Sequence, residues 1–282
     1  MPIATYHGFR SEVLAGTSPK FGLMVVSADP TSLELAAFAG ADFVMLDLEH
    51  ALGVDVADAL PAIRAADSVG IPTLVRVPSH DASAISRVLD FGAIGICVPH
   101  VRTATETAAI VAAAKYAPAG DRAMTPYSRA SGLDVEGWSN VWRSANEETV
   151  VAVVVEDAQG LENIEEIASV PGLDILWVGV GDLSQSLGAE SQDDQRVVDA
   201  RMRGLTAARA NGVASWATLA SSVGVPREAR LQAVADQISV GFTFFAWLDV
   251  AIVRSAFREV VSLGQEWRDS QGPHDVGAYP SN

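Results

Sequence analysis

Two stretches decide how this chain folds: FVMLDLEHALG (43–53) and PTLVRVP (72–78). Each is an unbroken apolar run closed by charge. Phe43, Val44, Met45 and Leu46 lead into Asp47, Glu49 and His50, while Leu74 and Val75 lead into Arg76. A strand buried on both faces reads this way, and such strands belong to parallel sheets covered by helices. In a β/α barrel, chemistry collects at the C-terminal ends of the strands. The two stretches therefore put an acid, a base and a guanidinium at one rim. Two later runs repeat the pattern: VVAVVVED (150–157) closes on Glu156 and Asp157, and ILWVGVGDLS (175–184) carries Asp182.

Working outward, strands are expected near 21–27, 42–49, 71–77, 94–99, 149–156, 174–180, 213–219 and 238–245. Helices are expected between them and after the last, the final one near 249–263. Asp29-Pro30 is a helix start, and Thr103 with Glu106 three residues on has the spacing of a capping box. An additional short helix is expected near 135–145, with Trp138 and Trp142 on one side. Eight strand-then-helix units in a row predict a single closed (β/α)8 barrel over 21–263. Residues 1–20 read as a lead-in with a helical turn near 12–14, and 264–282 as a polar tail. The rhythm breaks at APAGDRAMTPYSRASG (117–132), which carries Arg122 and Arg129. A loop of that length in a compact domain is commonly functional or disordered.

Composition narrows the class. The chain has 282 residues, 49% hydrophobic and 19% charged, and a formal net charge of −16. That charge argues against nucleic acid and anionic membranes as partners. No apolar run has the length of a membrane span, and MPIATYHGFR lacks the pattern of a signal peptide. The single cysteine, Cys97, excludes an internal disulfide and fits a reducing, cytoplasmic setting. An anionic substrate must find local positive charge, which draws attention to Arg76 and to any bound cation.

Glu156 and Asp182 follow dry strands, where an unpaired acid costs several kcal/mol to bury. One such acid is a strand-end ion pair or helix cap; two on neighbouring strands suit Mg²⁺ or Mn²⁺, which take few carboxylates plus open positions. Arg76 is a bidentate carboxylate or phosphate receptor, or else a structural partner of Asp47 or Glu49. His50 lies three residues after Asp47, close enough on a turn for the carboxylate to orient it as a base. His7, His80 and His100 lack such company and read as structural or surface residues. Asp90 ends a helix, where an acid is mildly unfavourable. GVGDLS (179–184) offers backbone N–H groups for an oxyanion. The two lysines, Lys20 and Lys115, do not sit at strand ends, so a Schiff-base mechanism has no lysine to use.

LDLEH (46–50), LVRVP (74–78), VLDFGAIGICVPHV (88–101), PAGDR (118–122), VVED (154–157) and VGVGDLSQSLG (178–188) together resemble the HpcH/HpaI aldolase/citrate lyase family, over roughly 21–261. The resemblance implies a divalent-metal-dependent pyruvate aldolase on a β/α barrel, with Mg²⁺, Mn²⁺ or Co²⁺. Such an enzyme reversibly cleaves a 4-hydroxy-2-oxo acid to pyruvate, or a related 2-oxo acid, and an aldehyde. It implies a homo-oligomer, a hexamer built as a trimer of dimers, with the last helix packed on a neighbour. By matching positions, Glu156 and Asp182 hold the metal and Arg76 grips the 2-oxo acid. Asp47 and His50 handle protons, and Asp90 serves the neighbouring subunit's site. Gly181 and Asp182 bind the carboxylate through their backbone. The chain departs from the family at Val154, where glutamine is frequent, at Val180 for proline, at Ala123 for glycine, and at bulky Trp247. Val154 and Trp247 are therefore expected to shape which substrate is taken. Other readings remain open: a decarboxylating carbon–carbon bond former of the macrophomate synthase type, a citramalyl or malyl ester lyase, and a non-catalytic binding or assembly barrel.

Overall fold

The computed structural model describes residues 6–51, 53–133, 138–219 and 225–271. Eight parallel strands close into one barrel in chain order. They are β1 (Lys20–Val25), β2 (Phe43–Asp47), β3 (Thr73–Arg76), β4 (Gly95–Val98), β5 (Val150–Val155), β6 (Ile175–Val178), β7 (Ala214–Leu219) and β8 (Phe244–Leu248). The outer layer holds α2 (Pro30–Phe38), α3 (Ala59–Val69), α4 (Ala82–Asp90), α5 (Ala104–Ala114), the short pair α7 (Ala158–Glu162) and α8 (Ile164–Ala168), α10 (Gln195–Ala210), α11 (Arg227–Val240) and α12 (Asp249–Gln271). Three further helices interrupt the alternation: α1 (Phe9–Ala15), α6 (Trp138–Glu148) and α9 (Val180–Ser186). The expected eightfold barrel is the observed one.

Local chemistry sets the boundaries. Asp29 caps α2 by accepting from the Thr31 N–H, with Pro30 at the first helical position. Thr103 and Glu106 form the expected capping box on α5. Strand eight lies later than its apolar run suggested. The 3.6-residue period of α11 continues to Val240, and Gly241, at φ +113°, closes that helix in a left-handed turn that favours glycine. Likewise α12 does not stop at Leu263 but runs to Gln271. The additional helix is described over Trp138–Glu148 and runs past the expected end at 145; its expected start at 135–137 and the side chain of Trp138 lie outside the described residues.

The core has two main parts. Between barrel and helices pack residues such as Val44, Leu46, Ile63, Val75, Ile96, Val153 and Ile167. Inside the barrel are Met45, Leu74, Cys97, Val154, Trp177, Trp216, Phe43 and Phe244. Phe43 stacks on Phe244 at 4.0 Å and meets Trp216 edge-on at 5.7 Å. The lead-in also joins this core. Phe9 and Val13 of α1 pack against the interior cluster from below, and Arg10 Nε donates to Asp174 Oδ1 at 2.9 Å. The N-terminal end of the barrel is thus plugged, which leaves the charged C-terminal rim as its mouth. Among the described residues, no helix is long and apolar enough to cross a membrane.

Candidate active site at the barrel mouth

β2 and β3 are paired so that Asp47 and Arg76 stand side by side at the mouth. Arg76 donates Nε to Asp47 Oδ1 at 2.8 Å and Nη2 to Asp47 Oδ2 at 2.5 Å, a two-pronged pair. Its Nη1 lies 3.0 Å from Glu49 Oε2, and its guanidinium sits 5.4 Å from the centre of the Trp177 ring. The Arg76 side chain is 6% exposed. Burial works to lower its pKa, but the Asp47 hydrogen bonds and the charges of Asp47 and Glu49 prevail and hold it above the ordinary value. Arg76 is fixed as a cation. Of its five N–H groups, those not directed at Asp47 and Glu49 remain for a ligand oxygen.

Asp47 therefore serves a different neighbour from the one its sequence suggested. Besides gripping Arg76, its Oδ1 accepts from the backbone N–H of Glu49 at 3.0 Å and of His50 at 3.4 Å, which shapes the turn after β2. The His50 imidazole is not held by Asp47. It is largely exposed, and its Nε2 lies 3.7 Å from Glu49 Oε2.

On the far side of the mouth stands Glu156, just after β5. Its partner is His100, a residue with no acidic company in sequence, and Glu49 lies beyond the ring. His100 Nδ1 is 3.0 Å from Glu156 Oε1 and its Nε2 is 2.9 Å from Glu49 Oε1. The His100 backbone N–H also donates to Glu156 Oε1 at 2.7 Å. His100 adopts φ +56°, a left-handed conformation that a side chain enters at a cost. Strand register could have signalled it: Val98 of β4 pairs with Val153 of β5, so residues beyond both strand ends meet at the rim.

Glu49, His100 and Glu156 can bring ligand atoms within 4.8 Å of one another. Asp182 is not in that group. It is exposed on the first turn of α9, beside Gly181, where the helix start has no side-chain cap. Its charge nevertheless reaches Glu156. Burial pushes the Glu156 carboxyl above the usual range, the His100 N–H and charge oppose this, and Glu49 and Asp182 push further upward.

The group fits a cation by three observations. Glu49 Oε2 is buried and has no aligned hydrogen bond. Gly179 leaves open the space beside Glu156: a Cβ there would come within 2.8 Å of Oε2. Three carboxylates, Asp47, Glu49 and Glu156, also gather at the mouth with one guanidinium, which pairs with Asp47 and Glu49. Val154 lies below Glu156 in the barrel interior, fully buried. Trp247 does not line this space, contrary to expectation. Alternation along β8 turns Ala246 inward and Trp247 outward, where it stacks on Phe21 at 6.0 Å.

Asp90 is elsewhere. It ends α4, on the opposite face of the barrel, and pairs with Arg122 of the long loop at 2.5 Å. Within one chain it has no part in the mouth. A mainly apolar cavity of about 330 Å³ adjoins Arg122 on that face, lined by Leu89, Ile94 and Val141. Both lysines also lie at the plugged end. Lys20 pairs with Glu12, and Lys115 donates to the Asn146 and Thr149 carbonyls, with burial lowering its pKa to about 8.

The raised Glu156 pKa has a stability consequence. Between the unfolded and folded pKa values the native state binds the extra proton, so stability falls as pH rises through that window. Glu156→Gln removes the charge and keeps an oxygen to accept from His100. In the metal-free protein it should raise the melting temperature at pH 7.5, by a few degrees for about 1 kcal/mol. The gain should shrink as pH falls through that window, from the raised folded pKa down to the unfolded carboxylate range. Calorimetry at pH 7.5 and 4.5 checks this, and an equal or lower melting temperature at pH 7.5 contradicts it.

Comparison with known proteins agrees with this geometry. The HpcH/HpaI aldolase/citrate lyase family model matches residues 20–249. A hydroxypyruvate/pyruvate aldolase of Paraburkholderia phytofirmans is 34% identical over 209 residues, 72% of this chain and 79% of that protein. A 2-dehydro-3,6-dideoxy-6-sulfogluconate aldolase of Pseudomonas putida is 34% identical over 176 residues, 62% of this chain and 68% of that one. A crystal structure of a family protein from Burkholderia cenocepacia superposes with a TM-score of 0.82 at 27% identity, covering 92% of this chain and 99% of the other. With its barrel, its charged mouth and these relatives, the chain belongs to the HpcH/HpaI aldolase/citrate lyase family.

Proposed function

We propose that the chain is a divalent-metal-dependent aldolase. It reversibly cleaves a 4-hydroxy-2-oxo acid to pyruvate, or a closely related 2-oxo acid, and an aldehyde. The observation that carries this reading is the buried Arg76 guanidinium facing a carboxylate-rich group, Glu49 and Glu156, at the barrel mouth, while both lysines stand at the other end. A buried cation beside a cation-binding group suits a reaction in which enolate charge develops on an oxygen. An amine-based route needs a lysine at the mouth.

In this reading Glu156 and Asp182 hold the ion, with Glu49 beside them. When bound, the ion supplies Lewis-acid stabilisation of enolate charge. Arg76, kept charged and oriented by Asp47, directs its remaining N–H groups at the same developing charge. The uncapped start of α9 at Gly181 and Asp182 offers N–H groups to the substrate carboxylate. Val154 gives the floor an apolar surface. His50, exposed at the lip, carries the proton of the aldehyde-derived oxygen. Because Trp247 faces the outer layer, it imposes no bulk on the substrate, and the decarboxylating alternative gains nothing from it. Asp90 acts only where a neighbouring copy presents it.

The assembly proposed is a homo-oligomer. Val253, Phe257, Val260, Val261 and Trp267 leave a large exposed apolar surface on α12, and monomers large in exposed apolar patch are uncommon. A second copy covers it. Light scattering on active enzyme at micromolar concentration should give a multiple of 29.6 kDa; a monomer alone refutes the assembly.

Stripping divalent ions with a chelator should abolish cleavage, and Mg²⁺, Mn²⁺ or Co²⁺ should restore it. Borohydride with pyruvate should leave the protein mass unchanged. A pyruvyl adduct on Lys20 or Lys115, or full activity in chelator, would defeat the proposal.

Arg76→Lys keeps the charge but loses the planar fork that Asp47 grips. Turnover should drop by about 10² or more, corresponding to about 2.7 kcal/mol of transition-state stabilisation. A coupled assay of pyruvate release measures it, and near wild-type turnover would remove Arg76 from this role.

A further inference from the structure

His100 has no task in the reaction as proposed, yet its backbone and both ring nitrogens are held at the mouth. Its backbone holds a left-handed φ of +56°, an arrangement that a side-chain-bearing residue enters only at a cost. The turn is secured from both sides. The His100 N–H donates to Glu156 Oε1 at 2.7 Å, and His80 Nε2 contacts the preceding Pro99 carbonyl at 2.7 Å. The outcome of this local strain is an imidazole set between two buried carboxylates, with one ring nitrogen toward each.

We propose that His100 is a nitrogen ligand of the divalent ion, and that it turns the site toward late first-row ions such as Co²⁺ and away from Mg²⁺. The inference rests on the metal-dependent reading above. The geometry supports it in three ways. First, ligand atoms of Glu49, His100 and Glu156 lie within 4.8 Å of one another. Two ligands of one ion with bonds of about 2.1 Å lie no more than about 4.2 Å apart, so a shift of a few tenths of an ångström closes the group. Second, whichever ring nitrogen turns to the ion, the other keeps a carboxylate partner. That is the carboxylate–histidine–metal arrangement that fixes a ligating imidazole. Third, Glu49 Oε1 stands 2.9 Å from His100 Nε2 and brings an oxygen beside the ring, while Oε2 of the same carboxylate faces Arg76 Nη1 at 3.0 Å. An all-oxygen site suits Mg²⁺, whereas imidazole in the donor set favours later first-row ions.

The test uses the full chain, freed of metal and held at one pH. Calorimetric titration with CoCl₂ and with MgCl₂ gives both affinities. Electron spin echo modulation of the Mn²⁺-loaded protein detects nitrogen bonded to the ion. Wild type should show nitrogen modulation and bind Co²⁺ more tightly than Mg²⁺. In His100→Gln the modulation should vanish, and the Co²⁺ advantage should shrink by about tenfold or more. His100→Asn, whose side chain tolerates the left-handed backbone, should behave alike and guards against a folding defect in the first variant. Absence of nitrogen modulation in wild type overturns the inference. So does Co²⁺ binding that is unchanged or tighter in both variants, which would make His100 a cationic spacer between Glu49 and Glu156. Failure of the underlying reading looks different: wild type takes up no divalent ion, or Glu156→Gln binds Co²⁺ as well as wild type does.

Discussion

The mouth of this barrel depends on the burial of one guanidinium between carboxylates. Taking a charge out of water costs several kcal/mol, and the loss is recovered only with good geometry and satisfied hydrogen bonds. Arg76 and Asp47 meet that condition because barrel closure fixes the register of β2 against β3, which sets the two side chains abreast. The pair then organises what surrounds it. Asp47 also accepts from the turn that carries Glu49 and His50, and Arg76 lies over Trp177 and against Glu49. Removing Arg76 would leave Asp47 as a buried carboxylate without its cation, and removing Asp47 would leave Arg76 with Glu49 alone, so position, charge state and local backbone are fixed together.

The second constraint is an imbalance of charge. Asp47 uses up much of Arg76, and Glu49 and Glu156 are left facing each other across His100. The upward push on Glu156 comes first from burial, and the charges of Glu49 and Asp182 add to it. A protein that only needed stability would have neutralised one of these acids. The barrel instead spends its helix-covered, fully packed wall on holding them close, which is what a site for an external cation requires.

The fold was legible because its signals are local and repeated. Apolar runs ending in charge at 43–50 and 72–76, Asp29-Pro30 and the Thr103/Glu106 box each report on a few neighbouring residues. Where two readings of a run compete, as in ISVGFTFF (238–245), the helical period continued until Gly241 could end it. The site was only partly legible, because its geometry runs across the sheet. Glu49 and His100 are 51 positions apart and meet because β2, β3, β4 and β5 are neighbours in the barrel. The sequence neighbours of His100 include no acid, so nothing local marks it. Trp247 misleads for a related reason. A bulky residue at a strand end suggests the substrate, but alternation along β8 decides which way it faces, and that phase was visible only once Phe244 was fixed inside the barrel.

One interior feature bears on how this protein can be observed. Trp177 and Trp216 stack 5.0 Å apart with their planes 14° from parallel. Indoles held that close and that nearly parallel couple their electronic transitions, so the folded barrel carries an intrinsic chromophore pair with its own near-ultraviolet circular dichroism. One indole of the pair lies beneath the Arg76 guanidinium. Any ligand that draws on that guanidinium changes the field on the pair, and the protein thereby reports occupancy of its mouth optically, without a label.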